Sequence, residues 1–287
     1  MAVFTNQATL SYNNTTTSSN IVTGEIVEVL SGTKTALDDS YQVGDTITYI
    51  ISIINSGTTA FTGLSINDNL GAYTVDETTA ITVTPLTYVA GSARYYLNGV
   101  LQANPTTVAG PPLLISGISV PAGGNALIIY EVTANGFAPL VTGSTITNTA
   151  TISGTGLSTP LTLTETITAA SEAQLSITKS VSPTTVAENG ELTYTFIIQN
   201  TGNTAAIATD NVVVTDNFNP ILENITVTLN DTVLTEGTQY TYNETTGTFQ
   251  TVPSVITVPA ATYTQDPDTG EWNIVPGVTV LEITGTL

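Results

Sequence analysis

A side-chain amide can form wherever a neutral lysine amine, a carboxyl group and an asparagine meet out of water. This chain carries two sets of residues spaced for that reaction. Its cations number three, Lys34, Arg94 and Lys179. The two lysines hold equivalent places in two self-similar segments, TKTALDDSYQVGDTITYIISIINSGTTA from position 33 and TKSVSPTTVAENGELTYTFIIQNTGNTAA from position 178. Tyr49 matches Tyr194, Asn55 matches Asn200 and Gly57 matches Gly202. Further on, LSINDNL (64–70) matches VVVTDNF (212–218), which aligns Asp68 with Asp216. Alternate residues of a strand share a face. Lys179 then lies with Leu175, Ile177 and Val181, and Lys34 with Leu30, Gly32 and Ala36. Asp68 shares a face with Leu64 and Ile66, Asp216 with Val212 and Val214, and Asn148 stands between Ile146 and Ala150. Lysine, acid and asparagine all aim where a core should be.

Burying a charge without a partner is costly, so the groups should meet. Desolvation favours the uncharged forms of an amine and a carboxyl group. A neutral amine is a nucleophile, and a carboxylic acid can polarise the asparagine carbonyl and move the proton. Attack expels ammonia and leaves a Lys–Asn isopeptide bond. Glu131 and Glu282 are a matched alternative pair of acids. A bland alternative stays open: a lysine on an edge strand can reach water along its stem, and the asparagine of TNTAT can serve a turn or a ladder. Arg94 has no counterpart in the second segment and is expected at the surface. Asp266, Asp268 and Glu271 lack a full calcium ligand set, so DPDTG (266–270) is expected to be a hairpin turn. Neither metal nor cofactor is expected. With no histidine or cysteine, no G-x-S-x-G and no phosphate loop, chemistry on an external substrate is not expected either.

The elements that must position these residues are strands. Period-2 alternation recurs in ITYIISII, LTYTFIIQ, NVVVTD, NITVTL and ALIIYEV, separated by turn signals such as Asn98-Gly99 and Asn189-Gly190. This predicts an all-β chain of two tandem β-sandwiches. The boundaries fall at an N-terminal extension of 1–28, a first repeat of 29–157, a connector or extra strand over 158–171, and a second repeat of 172–287. The ends are unusual. MAVFTNQATLSYNN matches VTGSTITNTATISGTGL (141–157) position by position, Phe4 with Ile146, Asn6 with Asn148, Ala8 with Ala150 and Leu10 with Ile152. VTVLEITGTL (278–287) matches NALIIYEVTA (125–134), the strand preceding TITNTATISG. The second repeat is therefore expected to lack its last strand, and the chain to begin with a spare copy of it.

Composition excludes several partners. Net charge is −20 although only 9% of residues are charged, against about 25% in an average domain. So acidic a surface repels nucleic acid and anionic membrane, and neither is an expected partner. A hydrophobic content of 41% suffices for two cores. No cysteine means no disulfide. The first residues show no secretory signal, and no run approaches the ~18 apolar residues of a membrane helix.

LSITKSVSP, GELTYTFIIQNTGN, VVVTDNF and TNTATISG, in that order, resemble the conserved repeat domain of bacterial surface proteins, long filed as a domain of unknown function. The resemblance implies immunoglobulin-like sandwiches strung on a cell envelope. Two such units in a chain of this length resemble appendage subunits on the spores of anaerobic spore-forming bacteria. The order lysine, acid, asparagine on first, middle and last strands resembles the self-crosslinking domains of Gram-positive collagen adhesins. Lys34, Asp68 and Asn148 would then join within one chain, and Lys179 and Asp216 would join Asn6 of the next. The expected function is a structural subunit of an extracellular or spore-surface filament, a head-to-tail homopolymer with anchoring proteins at its base. Its donor strand, carrying Phe4, Ala8, Leu10 and Tyr12, would lie beside VTVLEITGTL of a neighbour. The alternative is an adhesin or ligand-binding module presenting an exposed aromatic cluster around Tyr95, Tyr96, Tyr240 and Tyr242.

Overall fold

The computed structural model describes residues 2–75 and 81–287; Met1, the first residue of the expected extension, lies outside them. The chain is all-β, with one short 3-10 turn, Ala208–Asp210, among the described residues. It divides into two compact units. The first contains the chain up to Pro139, Ser144–Ala169 and Pro267–Glu271; the second contains Leu140–Gly143, Ala170–Asp266 and Trp272–Leu287.

In the first unit, Leu30–Ala36, Thr46–Asn55, Asn125–Ala134 and Arg94–Leu97 are successive antiparallel neighbours in one sheet. Leu113–Val120, Phe61–Asp68, Thr145–Ser153 and Leu161–Ala169 form another in the same manner. Alternation decides what is buried. Ile47, Tyr49, Ile51 and Ile53 face inward from one strand and Ala126, Ile128, Tyr130 and Val132 from its neighbour. They join Leu64, Ile66, Ile115 and Ile152 in one cluster, the interdigitated core of a sandwich. The stretch 158–171 holds a nine-residue strand, Leu161–Ala169, paired along its length with Thr145–Ser153.

The second unit repeats the first of these sheets as Leu175–Ser182, Glu191–Asn200, Gly277–Thr286 and Glu223–Leu229. A shared fastening confirms the equivalence. Asn55 is fully buried, donates to the Thr59 and Pro121 carbonyls at 2.8 and 3.0 Å, and accepts from the Gly57 amide at 2.9 Å. Asn200 does the same with Thr204, Pro259 and Gly202 at 2.8, 3.0 and 2.9 Å. The other sheet is smaller: Thr215–Asn217, Thr248–Thr251 and Tyr240–Asn243. Among the described residues its Thr215–Asn217 strand is paired on one side only, whereas the matching Phe61–Asp68 strand has neighbours on both sides.

This corrects the expected seat of a donated strand. Gly277–Thr286 is hydrogen-bonded on both sides, to Glu191–Asn200 and to Glu223–Leu229, so no edge remains beside VTVLEITGTL. The sequence match suggested adjacency because the TITNTATISG strand follows NALIIYEVTA in the chain, but the two lie in different sheets. The free edge belongs to the Asp216 strand.

Residues 2–26 fold back on themselves. Ala2–Asn6 pairs with Val22–Ile26, and Thr9–Tyr12 with Thr15–Ser18. They belong to neither sheet of the first unit. Val3, Phe4, Leu10, Tyr12, Ile21 and Val22 are all more than half exposed.

Candidate functional site

Lys34, Asp68 and Asn148 reach the core of the first unit from three strands. Lys34 lies opposite Ile51 on the Leu30–Ala36 strand, and Asp68 ends the Phe61–Asp68 strand opposite Ala150. Asn148 is two residues from Ala150 on the same inward face. Lys34 is 3% exposed, and Asp68 and Asn148 are completely buried. Lys34 Nζ donates to Asp68 Oδ2 at 2.7 Å and lies 4.7 Å from the centroid of the Tyr49 ring. The Leu70 amide donates to Asp68 Oδ1 at 2.9 Å, and the Tyr130 hydroxyl donates to Asp68 Oδ2.

Burial pulls the Lys34 amine down to about 8, against the opposing pull of Asp68 and of Glu165. A large share of the amine is therefore neutral at mildly alkaline pH. Burial also pushes up the Tyr49 and Tyr130 hydroxyls, and both lie near enough to Asn148 for its amide to moderate the rise. Yet among the described residues neither Nδ2 nor Oδ1 of Asn148 has a partner with hydrogen-bond geometry, and the Tyr49 hydroxyl has none. Leaving a buried polar group unsatisfied costs about 1–3 kcal/mol. The centre thus holds a lysine amine, a carboxyl group hydrogen-bonded to it and a carboxamide, all buried.

Lys179 and Asp216 meet in the second unit as Lys34 and Asp68 do in the first. Their setting differs. Lys179 stacks over Tyr194, Phe196 and Phe218, with centroids at 4.3, 5.3 and 5.2 Å, but 38% of its side chain is exposed. The pair lines an open groove of about 330 Å³ with Ile177, Phe196 and Val214. In the first unit, the Asn148 strand occupies the corresponding edge. Asn6 stands in the exposed N-terminal hairpin, opposite Val22.

Other residues fall elsewhere. Glu131 and Glu282, the alternative acids, sit half-buried on the faces turned away from the cores, and Glu282 accepts from the Thr195 hydroxyl. The cross-strand partners also separate them. Glu131 lies opposite Thr48, and Thr284 lies opposite Thr193, the equivalent of Thr48, so Thr284, not Glu282, is the counterpart of Glu131. The tyrosines expected to be exposed are not: Tyr95 and Tyr240 are buried, and Tyr96 and Tyr242 are half-buried. Tyr95 and Tyr240 are core residues of separate units, and Tyr95 and Tyr242 donate to the Ser119 and Leu222 carbonyls. Arg94 is exposed, with hydrogen bonds to the Gly91 and Ala93 carbonyls. DPDTG joins the paired strands Thr262–Gln265 and Trp272–Val275, and no cluster of metal-binding residues occurs among the described residues. Tyr130 and Tyr49 were not among the expected site residues, although each stands two positions from a buried isoleucine of the same strand, Ile128 and Ile51.

No family model matches this chain, and no curated protein matches it. Among solved structures, it is similar to the major pilin subunit BcpA of Bacillus cereus, with 11% identity over 96% of this chain and 73% of that one, at a TM-score of 0.35. The pilus backbone protein RrgB of Streptococcus pneumoniae matches with 11% identity over 86% of this chain and 55% of that one, at 0.34. The collagen-binding domain of a Staphylococcus aureus adhesin matches with 9% identity over 50% of this chain and 99% of that one, at 0.31. Likeness of this degree assigns no function.

Proposed function

We propose that this chain is the structural subunit of a filament outside the cell, on a cell or spore surface, which grows head to tail. The N-terminal strand of one subunit enters the second unit of the next along the free edge of the Asp216 strand. The observation that carries this reading is the contrast between the two lysine sites. One is closed over by a strand bearing Asn148; the other is open, and residues 3–11 repeat that strand with Asn6 in the asparagine's place. A strand edge beside an apolar groove is a template for another strand. A contact made head to tail does not close on itself, so it propagates. Burying Phe4, Leu10 and Tyr12 contributes roughly 1.5–3 kcal/mol each.

The chemistry follows from the groups present. The lone pair of neutral Lys34 Nζ attacks Asn148 Cγ. Asp68 takes a proton from Nζ and passes one to Nδ2, the Cγ–Nδ2 bond breaks, and ammonia departs. One amide replaces another, and no oxidant or cofactor is needed. Lys179 and Asp216 perform the same step on Asn6 of the incoming strand, so each junction becomes covalent. The protein turns over no external substrate, and anchoring proteins hold the filament base.

Electron microscopy of purified protein tests assembly. The full chain should form filaments and a chain lacking residues 2–12 should remain monomeric. Filaments of normal length from the truncated protein would overturn the proposal.

A further inference from the structure

Resting on that reading, we infer that the donated element is the whole hairpin of residues 2–26, and that its second strand seats against the Lys179 strand of the receiving copy. The first unit supplies the template. There, the Asn148 strand is one arm of a hairpin whose other arm, Leu161–Ala169, pairs with it throughout. Ile146 lies opposite Ile167, Ala150 opposite Leu163 and Ile152 opposite Leu161. The N-terminal hairpin repeats this layout. Phe4 lies opposite Gly24, Leu10 opposite Thr17, and the Ser19 amide donates to the Ala8 carbonyl at 2.8 Å. Gly24, Ser19 and Thr17 therefore stand for Ile167, Leu163 and Leu161, and Ile26, opposite Ala2, stands for buried Ala169.

The substitutions compensate one another in size. Within the hairpin, the Phe4 ring fills the space that a Cβ on Gly24 would need, so Phe4 over Gly24 replaces Ile146 beside Ile167. Across the junction the exchange runs the other way. In the first unit, Leu163 and Leu161 close over Gly32, 3.2 and 3.5 Å from where its Cβ would lie. The second unit has Ile177 in place of Gly32, 52% exposed, and the hairpin offers the smaller Ser19 and Thr17 to it. Larger residue on the body and smaller residues on the second arm preserve the packed volume that a core requires. A single donated strand would leave Ile177 uncovered and would give these exchanges no cause. The exposed state has its own signature: an isolated two-stranded hairpin is marginal in water, and this one holds a row of apolar side chains in solvent.

The test uses the whole 287-residue chain, which contains no cysteine. Phe4→Asp probes the first arm, Ile26→Asp the inward face of the second arm, and Thr23→Asp its outward face. Filaments should be lost with Phe4→Asp and Ile26→Asp and kept with Thr23→Asp. Independently, a Ser19→Cys, Ile177→Cys double variant carrying Lys179→Ala should give disulfide-linked oligomers on oxidation that reduction returns to monomer. If Phe4→Asp blocks growth while Ile26→Asp filaments are normal and no disulfide forms, only the first arm is donated and this inference falls. If Phe4→Asp filaments are also normal, strand donation itself is wrong.

Discussion

Replacing Asn148 with alanine separates a crosslinked first unit from an uncrosslinked one by the sign of the stability change. Without a bond, Asn148 is a buried carboxamide with neither polar atom satisfied. Removing it relieves a cost of about 1–3 kcal/mol and sacrifices some packing, so the variant should match or exceed its parent. With a bond between Lys34 and Asn148, the chain between them is a closed loop of about 110 residues. Cross-linking a loop of that length removes about 5 kcal/mol of unfolded-state entropy at 25 °C. Asn148→Ala would then lower stability by that amount, or by about 10–20 °C in the melting of a unit this size. The Lys34–Asp68 pair stays intact in the variant, so a large loss cannot be ascribed to a stranded charge. Calorimetry on the full chain, paired with intact mass, reads both quantities. Parent protein lighter by one ammonia, with a variant melting well below it, is the expected result. A parent of full mass and a variant that melts no lower would refute the reasoning.

Lys179→Ala should remove the ladder of covalent oligomers expected on boiling filaments of the parent protein, while leaving fibres that come apart on heating; denaturing gel electrophoresis reads this, and an unchanged ladder contradicts the assignment of Lys179 as nucleophile. The neutral fraction of an amine with a pKa of about 8 rises with pH below that value, so ammonia loss in protein refolded from inclusion bodies should accelerate about tenfold per pH unit up to about 8 and then level off. A rate that declines as pH rises through this window counts against attack by Lys34. In an Asn148→Ala background, Tyr130→Phe should cost about 1–3 kcal/mol by leaving Asp68 one donor short; urea titration measures it, and no change would mean the hydroxyl is not engaged. Leu10→Asp should stop filament growth whereas Gln7→Asp, on the opposite face, should not, because a strand in this register turns alternate residues outward; equal effects would mean another docking geometry.

Strand parity made much of the lysine site legible. The chain has two lysines and they hold equivalent places in its repeats, and period-2 alternation puts Lys34, Asp68 and Asn148 on faces that are buried. Alternation reports which face is covered; it does not report which strand lies beside which. The match between the two C-terminal strands therefore suggested the wrong neighbour for a donated strand, since Thr145–Ser153 pairs with Phe61–Asp68 across the sandwich from Asn125–Ala134. The second arm of the N-terminal hairpin is not legible in the sequence for a related reason. Thr15, Thr16, Thr17, Ser18 and Ser19 carry no apolar rhythm, and Gly24 interrupts the one that follows. The residues opposite Phe4, Ala8 and Leu10, namely Gly24, Ser19 and Thr17, are small and give no hydrophobic signal. Tyr130 shows a further limit: its inward direction was readable, but a carboxylate waiting there belongs to a strand some sixty positions earlier.

The hairpin also differs from the rest of the molecule in its electrostatic character. Residues 2–26 contain a single charged side chain, Glu25, in a protein of net charge −20. Filament bodies would be polyanions, and their flanks repel one another over roughly the Debye length, about 10 Å at 0.1 M salt. A nearly neutral plug can approach the acidic body without that penalty. Elongation and lateral bundling would therefore answer to different conditions. Ionic strength and divalent counterions would decide whether the fibres lie singly or in sheaves, and would leave the rate of end growth largely untouched.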